Sequence, residues 1–596
     1  MVTDAERLTL EDGRAQIIVR MYRQGLGDCF LLALPTNDPK QPKYVLIDCG
    51  VHARETKGKD RLAQALRNIV DATGGHLDVV VATHEHADHL SGFVQKGSPF
   101  LTETLSVGEV WLGWTEKRGD AQADLLRQQR GTATEVIEKA VEQARQSAGL
   151  AGPQLAKELE KITDFEHHDP EAIDLDAVTA LVSQMCEANS EAGSFVTAAD
   201  TGLPARLGAA KSKGTSASRP KPSSNELALG LLSAKAGKSK TRYFKPGDVA
   251  TLDAVQDLRA YVLGPPRDDE LLGRSDPSKI RGRTDKHPDG MYKEVYLSGG
   301  AGPEALSLAP ALRWDDETLV GRMSEDFRHP FSRQFRRSYK SLSTKGQEPH
   351  VEWDSDRNSV DSATTNIVEG VYLDPTQDWR RIDGDWLQSA EKLALNLVGD
   401  TNNTSLVLAF EWGPPRKGKV LLFPGDAQVG NWLSWRNQNY KAGGVTMTAD
   451  DLLRRTILYK VGHHGSHNAT ARRDSDETTP EYPLGVPFGL ELMNDIVAMI
   501  PVDSQAVNKN MPDPWEMPYD RLYRRLREKA RLRVLRADES ITPLKPPEEP
   551  DLVPESTTWQ PIPGLKHAQW RRSAENFTIG DNLGPLYYDV AFELED

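Results

Sequence analysis

Short apolar runs rich in β-branched and aromatic residues recur along the chain, and most of them end in a polar group. Ile17–Leu34 and Tyr44–Asp48 predict two or three strands joined by the turn-forming PTNDPKQPK. Leu77–Ala82 (LDVVVA) predicts a fully buried strand, and Glu109–Trp114 a further one. Between the strands, Leu62, Leu66 and Ile69 recur at helical spacing over Asp60–Val70. Strand and helix in alternation predict an α/β fold.

The alternation breaks twice. From residue 115 to 240 the composition shifts to Ala, Gln, Glu and Lys, and Val136, Ile137, Ala140, Val141 and Ala144 form an apolar stripe. This predicts a helical insertion, and Ala209–Ser224 reads as a flexible basic linker. The AGKSK after it is no phosphate loop, because the upstream glycine is missing and a helix precedes it. Ala260–Leu263, stopped by Gly264, Pro265 and Pro266, resumes the strand pattern. A second, irregular insertion follows over 267–394 and carries the basic cluster Phe331–Lys340, suited to single-stranded nucleic acid or simply a solvated charged loop.

Strands return in NNTSLVLAFEW, at Val420–Phe423, at Ile457–Val461 and in DIVAMIPV (Asp495–Val502). An amphipathic helix over Asp520–Lys529 leads into the strand RLRVLR, the most basic stretch of the chain. Its arginines either cover the helix's outer face or line a phosphate-binding rim. The proline-rich Pro543–Pro563 then separates the strand-like LYYDVAFEL. The resulting division is a core of 15–114, 241–266 and 395–536, insertions at 115–240 and 267–394, and a C-terminal extension over 537–596.

At 596 residues the chain exceeds what one hydrophobic core usually organises, which agrees with inserted modules. A formal net charge of -15 excludes a surface that is basic throughout, so any groove for nucleic acid must be local. Cys29, Cys49 and Cys186 offer neither a disulfide framework nor paired metal thiolates, and a reducing cytoplasm is expected. The opening MVTDAERLTLEDGR is not a signal peptide, and no run approaches the ~20 apolar residues of a membrane span.

The densest candidate chemistry is THEHADHLSG, Thr83–Gly92, directly after the strand Leu77–Ala82. His84 and His86, two apart on extended chain, point the same way and can share one ion, while Asp88 and His89 can face a second. Imidazole and carboxylate without thiolate suit a catalytic zinc, manganese or iron site. In QGLGDC, Gly25 and Gly27 allow close turns, and Asp48 ends an apolar strand either as a cap or as a group orienting the histidine loop. Asp426 follows the strand Val420–Phe423, and His463 and His464 follow Ile457–Val461. A carboxylate bridging two cations and a distant histidine completing one of them are what a binuclear hydrolytic site requires. His167 and His168 in FEHHDPE read as a polar helix end.

In this order the motifs resemble the metallo-β-lactamase superfamily, and more closely the hydrolase domain of competence DNA-uptake (ComEC-type) proteins. The shared features are the GDC opening, LIDCG, THEHADHLSG, PGD with VLGPP, NNTSLVL, GDA and KVGHHGS. The resemblance implies an αββα sandwich and two divalent ions, zinc or manganese. They would be held by His84, His86, Asp88, His89, Asp426 and one of the pair His463 and His464, with His464 favoured. It implies contact of His463 and Ser466 with substrate phosphate.

Two departures stand out. Asn402 or Asn403, in GDTNNTS, occupies the place of a further metal histidine, so the first metal site is incomplete or is filled by water or an insertion residue. The membrane channel of the competence proteins is absent. A Ser466 nucleophile with His467 as base lacks the glycine pattern of a nucleophile elbow, which leaves Asp48, Asn402, Asn403, Ser466 and His467 as supporting or substrate-contacting groups. The expected function is phosphodiester hydrolysis, most simply a nuclease on DNA or RNA, through a metal-bridging hydroxide positioned by Asp88 and Asp426. The alternatives are a hydrolase for a small substrate (cyclic nucleotide, phosphocholine ester or lactone) and a degenerate scaffold that binds a protein partner through the insertions.

Overall fold

The computed structural model describes residues 8–10, 16–53, 55, 57–146, 156, 160, 172–188, 223–255, 257–275, 397–474, 479–482, 485–504, 517–538, 559–573, 576–579 and 582–595. Chain contacts divide the protein into two units, residues 1–126, 164–300 and 398–596, and residues 127–163 and 301–397. In the second unit, the described residues are chiefly those of the helix Ala121–Gln146 beyond position 126, which carries the stripe read at Val136–Ala144. His167 and His168, the linker up to residue 222 and the basic cluster Phe331–Lys340 lie outside the described residues. The sheets and the candidate site belong to the first unit.

The strands are β1 (Gln16–Tyr22), β2 (Cys29–Leu34), β3 (Lys43–Cys49), β4 (His76–Val81), β5 (Ser106–Gly113), β6 (Thr241–Phe244), β7 (Val249–Ala250) and β8 (Leu258–Gly264). Then come β9 (Val407–Trp412), β10 (Lys419–Phe423), the hairpin β11 (Tyr440–Ala442) and β12 (Val445–Met447), β13 (Thr456–Lys460), the short pair β14 (Arg473–Asp474) and β15 (Val486–Pro487), β16 (Val497–Ile500) and β17 (Val534–Arg536). The chain closes with β18 (Leu565–Arg572), the hairpin β19 (Asn576–Ile579) and β20 (Asn582–Pro585), and β21 (Tyr587–Leu594). The fold is mixed α/β. One sheet has eight strands in the order β18-β21-β1-β2-β3-β4-β5-β6, and another seven in the order β17-β16-β13-β10-β9-β8-β7.

In the first sheet β1, β2 and β3 are antiparallel, whereas β3 to β6 run parallel. Parallel neighbours need a crossover, which α1 (Gly58–Thr73) supplies between β3 and β4 and α2 (Ala87–Val94) between β4 and β5. α1 buries Leu62, Leu66 and Ile69 as their spacing predicts, and stops at Gly74, whose left-handed φ of 65° caps it. In the second sheet β10, β13, β16 and β17 are parallel.

Strand alternation builds the cores. Ile17, Val19 and Met21 of β1 join Val79 and Val81 of β4, Leu408 and Phe410 of β9 and Val497 and Met499 of β16 in one apolar cluster fed by both sheets. The intervening Ile18 and Tyr22 belong to a second cluster with Leu62 and Leu66 of α1 and Leu90 and Phe93 of α2. A third cluster joins Ala409, Leu422 and Tyr459 to Trp432, Trp435, Leu522 and Leu526.

Two sequence boundaries differ from the fold. The segment read as a C-terminal extension completes the first sheet: β21 pairs with β1 from Gln16↔Glu593 to Tyr22↔Tyr587, and β18 pairs outside it. Without β21 the outer edge of β1 would present a row of unpaired backbone groups. Val590 and Phe592 enter the cluster between the sheets, and Asp589 accepts two bonds from the buried Arg20 guanidinium at 2.8 and 3.0 Å. Likewise the helix Ser224–Ala236, assigned to the first insertion, covers the first sheet with Leu227, Leu231 and Leu232 beside Leu77 and Val110. Its capping box, Ser223 with Glu226, fixes where it starts, and Asn225 Nδ2 donates to Glu85 O at 2.6 Å, bracing the histidine loop. Among the described residues no helix is long and apolar enough to cross a membrane.

Candidate metal centre

The carboxyl ends of parallel strands collect polar side chains at one place, as open α/β sheets do. Asp48 lies at the end of β3, Thr83–His89 follow β4, Asp426 follows β10, Lys460 ends β13 with His463 and His464 just beyond, and Pro501 follows β16. The GLGDC loop is pressed against the start of α2. A Cβ on Gly50 would lie 2.5 Å from His89 N, and one on Gly27, where φ is +143°, 2.5 Å from Asp88 O. Asp28 N donates to Asp88 O at 3.1 Å and Gly50 N to Asp28 O at 2.9 Å, which carries the Asp28 carboxylate into the cluster.

Hydrogen bonds fix which face each imidazole presents. Asp48 accepts from Thr83 N and from Thr83 Oγ1, both at 2.7 Å, and its Oδ2 accepts from His89 Nδ1 at 2.8 Å, so it both caps and orients the histidine loop. With Nδ1 committed to Asp48, His89 turns Nε2 inward. Having given its own proton to Asp48, Thr83 Oγ1 accepts from His84 Nδ1 at 3.0 Å, and His84 Nε2 then meets His86 Nδ1 at 3.0 Å. His464 donates Nδ1–H to Pro501 O at 2.8 Å, which directs Nε2 to Asp88 Oδ2 at 2.9 Å and to Asp426 Oδ2 at 3.5 Å. Of the histidine pair, His464 is the one that joins the cluster.

A buried group of Asp28, His89, Asp426 and His464, with donor atoms all within 4.8 Å of one another, could hold a metal ion. Ring orientation refines that set. Asp28 lies 3.7 Å from His89 Nδ1 and 3.7 Å from His464 Nδ1, the nitrogens already used by Asp48 and Pro501. Asp28 therefore backs the imidazoles, while Asp426 Oδ2 lies 3.2 Å from His89 Nε2 and Asp88 Oδ2 faces His464 Nε2. Asp88 Oδ1, His89 Nε2 and Asp28 Oδ1 are buried with no hydrogen-bond partner. Each such orphan costs about 1–3 kcal/mol, and a divalent cation with oxygen and nitrogen ligands satisfies it. The donor set fits such an ion.

Charge balance points the same way. Burial pulls the His89 imidazole down, yet Asp426, Asp28, Asp88 and Asp48 together raise it well above its ordinary value, and His464 is raised likewise by Asp426, Asp88 and Asp28. Burial works against ionised Asp88 and Asp426, but the facing His89 and His464 hold both below the usual carboxylate range. Lys460 Nζ pairs with Asp28 Oδ2, lies 3.2 Å from Asp426 Oδ1 and donates to Gly425 O at 2.8 Å. Burial opposes its charge, and the two carboxylates outweigh burial and raise it. His84 is pushed well below its ordinary value by burial and by His89 and His86, so it is neutral. The carboxylates thus favour positive charge at the imidazoles between them, and a cation there would supply that charge in place of the imidazoles' protons.

His463 has a different environment. It, His464 and Gly465 take left-handed backbone angles, φ 41°, 52° and 80°, a strained run for the two histidines that separates their side chains. His463 N donates to Asp426 Oδ1 at 3.0 Å, while its ring meets Ser466 Oγ at 2.7 Å through Nδ1 and Asn402 Nδ2 at 3.3 Å through Nε2. Ser466 Oγ also donates to Asn468 Oδ1 at 3.0 Å. Burial lowers the His463 imidazole to about 4, so it is neutral near pH 7. Asn403 is a bracket for backbone: its amide donates to Leu272 O and Arg274 O and its oxygen accepts from Gln428 N. His467 is partly exposed and takes no part in the bonds named above.

The sequence reading missed Asp28 and Lys460. The signal for each was a charged residue flanking an apolar strand, GDCFLLAL and TILYK. In the basic stretch 521–536, Arg525 pairs with Glu491, Arg524 with Asp520, Arg531 and Arg533 with Asp495, and Arg536 with Asp538. These arginines are held by acids, Arg524 and Arg531 exposed and Arg533 buried. The chain matches no protein-family model, and a search of curated proteins found no relative.

Proposed function

We propose that this protein is a metal-dependent hydrolase of phosphodiester bonds. The observation that carries the reading is the convergence of His89 Nε2, His464 Nε2, Asp88 and Asp426 Oδ2 at one buried point, with orphan donor atoms aimed into it. A divalent cation there supplies an acidified water and positive charge for the phosphoryl oxygens. The chain's own residues do the rest. Asp48, Thr83 and Pro501 hold the imidazoles in the ligating tautomer, and Lys460 keeps Asp426 Oδ1 so that Oδ2 faces inward. Neutral His463, with Ser466 and Asn402, offers hydrogen bonds to substrate oxygens. We read the two sheets with their flanking helices as the αββα sandwich of the metallo-β-lactamase superfamily, and DNA or RNA as the first substrates to try. Free, buried Cys29 and Cys49, with Sγ atoms 3.7 Å apart, suit a reducing cytoplasm.

A small phosphodiester is the second reading, and the pairing of the arginines at 524–536 with acids favours it. The test is metal content together with cleavage of single- and double-stranded DNA, RNA and bis(p-nitrophenyl) phosphate. His464→Ala is expected to lose both metal and turnover. His463→Ala is expected to keep the metal and lose about 10²- to 10⁴-fold in kcat, the scale of one proton-transfer or hydrogen-bonding group. Bound metal with no hydrolysis of any of these substrates would sink the proposal.

A further inference from the structure

We propose that Asn402 determines which phosphodiester this site takes: its side-chain oxygen accepts a hydrogen bond from a substrate hydroxyl, so that the preferred substrate carries a ribose 2′-hydroxyl beside the scissile phosphate. This rests on the hydrolase reading for the reaction and adds to it the substrate class, RNA over DNA.

A run of hydrogen bonds with a single direction carries it. Asn468 Nδ2 donates to Ser275 O at 3.2 Å, which leaves Asn468 Oδ1 facing Ser466 Oγ at 3.0 Å. Ser466 has one hydroxyl proton and gives it to Asn468, so its oxygen accepts from His463 Nδ1 at 2.7 Å. A neutral ring protonated on Nδ1 has a bare Nε2, and that nitrogen accepts from Asn402 Nδ2 at 3.3 Å. Turning the Asn402 amide round would set its oxygen against the bare nitrogen, and turning Asn468 round would set its oxygen against the Ser275 carbonyl. Both amides are thus fixed by their partners. Gln428 Nε2 lies 3.4 Å from His463 Nδ1, and among the described residues no second bond settles which end of that amide faces the ring.

The run ends on Asn402 Oδ1, which is buried and has no hydrogen-bond partner among the described residues. Asn402 is as deeply buried as Asp88 and His464, each 0% exposed, and it adjoins the cluster through His463, whose N donates to Asp426 Oδ1 at 3.0 Å. The neighbouring Asn403 has no such spare atom, because its amide is engaged by Leu272 O and Arg274 O and its oxygen by Gln428 N. A buried acceptor without a donor is unfavourable, and a ligand that brings an O–H removes the penalty. Phosphoryl oxygens only accept and do not suit it. In a polynucleotide the hydroxyl nearest phosphorus is the ribose 2′-OH, which DNA lacks.

The test is competition, on the Mn²⁺-loaded full chain, between strands of one sequence that differ at a single sugar: 2′-hydroxyl, 2′-deoxy and 2′-fluoro, the last similar in size to the hydroxyl but unable to donate. Wild type is expected to favour the 2′-hydroxyl strand over both others by about 10- to 100-fold in kcat/KM, the scale of one hydrogen bond to a buried group. Asn402→Ala is expected to bring the ratio close to one by slowing the 2′-hydroxyl strand alone. A ratio reads only folded, active molecules, and the wild-type comparison stands without any variant. Equal cleavage of the three strands by wild type would overturn the inference, leaving a water as the partner of Asn402 and the hydrolase reading intact. So would a preference that survives in Asn402→Ala, or 2′,3′-cyclic phosphate ends, which would mean that the hydroxyl attacks phosphorus. Hydrolysis of bis(p-nitrophenyl) phosphate with no strand cut would also overturn it and keep the hydrolase reading. Hydrolysis of nothing by the metal-bound chain would overturn both.

Discussion

Lys460 Nζ sits between Asp28 and Asp426 at the base of the buried cluster, 3.2 Å from Asp426 Oδ1 and paired with Asp28 Oδ2. The side chains are almost wholly excluded from solvent; burial favours the neutral form of both carboxyls, and the ammonium opposes it, at Asp28 as the largest opposing charge and at Asp426 after His89 and His464. Removing one partner of a buried pair typically costs about 3–5 kcal/mol, because the other charge stays behind. Lys460→Met is expected to lower stability by about that much in metal-free protein, read from urea unfolding. Adding Asp28→Asn should restore most of the loss. A double variant no more stable than the single would show that charge pairing is not what Lys460 provides.

Gly50 is where the first sheet meets the histidine loop. A Cβ there would stand 2.5 Å from His89 N, and the atoms it meets are backbone, which cannot swing aside. Gly50→Ala is expected to cost about 1–3 kcal/mol, the usual scale of overpacking. It should also weaken Mn²⁺ binding at least ~10-fold, since displaced ligand geometry lowers affinity. Gly131 in the helix Ala121–Gln146 meets nothing within 4 Å, and Gly131→Ala is the control expected to leave metal binding unchanged.

Glu55 gives the pH dependence. Its carboxyl accepts from Leu26 N at 2.9 Å and from Arg61 at 2.6 Å. Burial first, and then the charge of Asp503, push it up to about 8 from 4.5, with Arg61 pulling back. A carboxyl raised on folding contributes stability that is complete below its unfolded value near 4.5 and is lost as the pH rises through about 8. Wild-type Tm is therefore expected to fall between pH 5 and 9 by more than that of Glu55→Gln, whose side chain does not titrate. Equal slopes for the two proteins would refute the assignment.

Asp589 tests the C-terminal strand. It holds Arg20, which also donates to Asn68 Oδ1 at 2.8 Å in the buried outer layer of the first sheet. Asp589→Ala leaves that guanidinium without its carboxylate and is expected to cost about 3–5 kcal/mol. Urea unfolding measures it, and a change within 0.5 kcal/mol would mean that the tail does not stabilise the sheet as its pairing indicates.

The sequence alone determined most of the elements and put imidazoles and carboxylates at the ends of strands, because both are local. Short β-branched runs such as LDVVVA favour strands, Leu62, Leu66 and Ile69 share a face on a helix, and His84 to His89 gather imidazole and carboxylate within a few residues. Only the tertiary structure decided what depends on contacts between segments far apart in the chain. The alternation in LYYDVAFEL marks a strand but not its partner, so β21 read as a tail until β1 was beside it. HHGS marks two imidazoles but not the left-handed turn that sends His464 to Asp88 and His463 to Asn402. Asp28 and Lys460 are ordinary charged residues at strand ends until the sheets bring them together, where low dielectric makes their pairing with each other and with Asp426 strong.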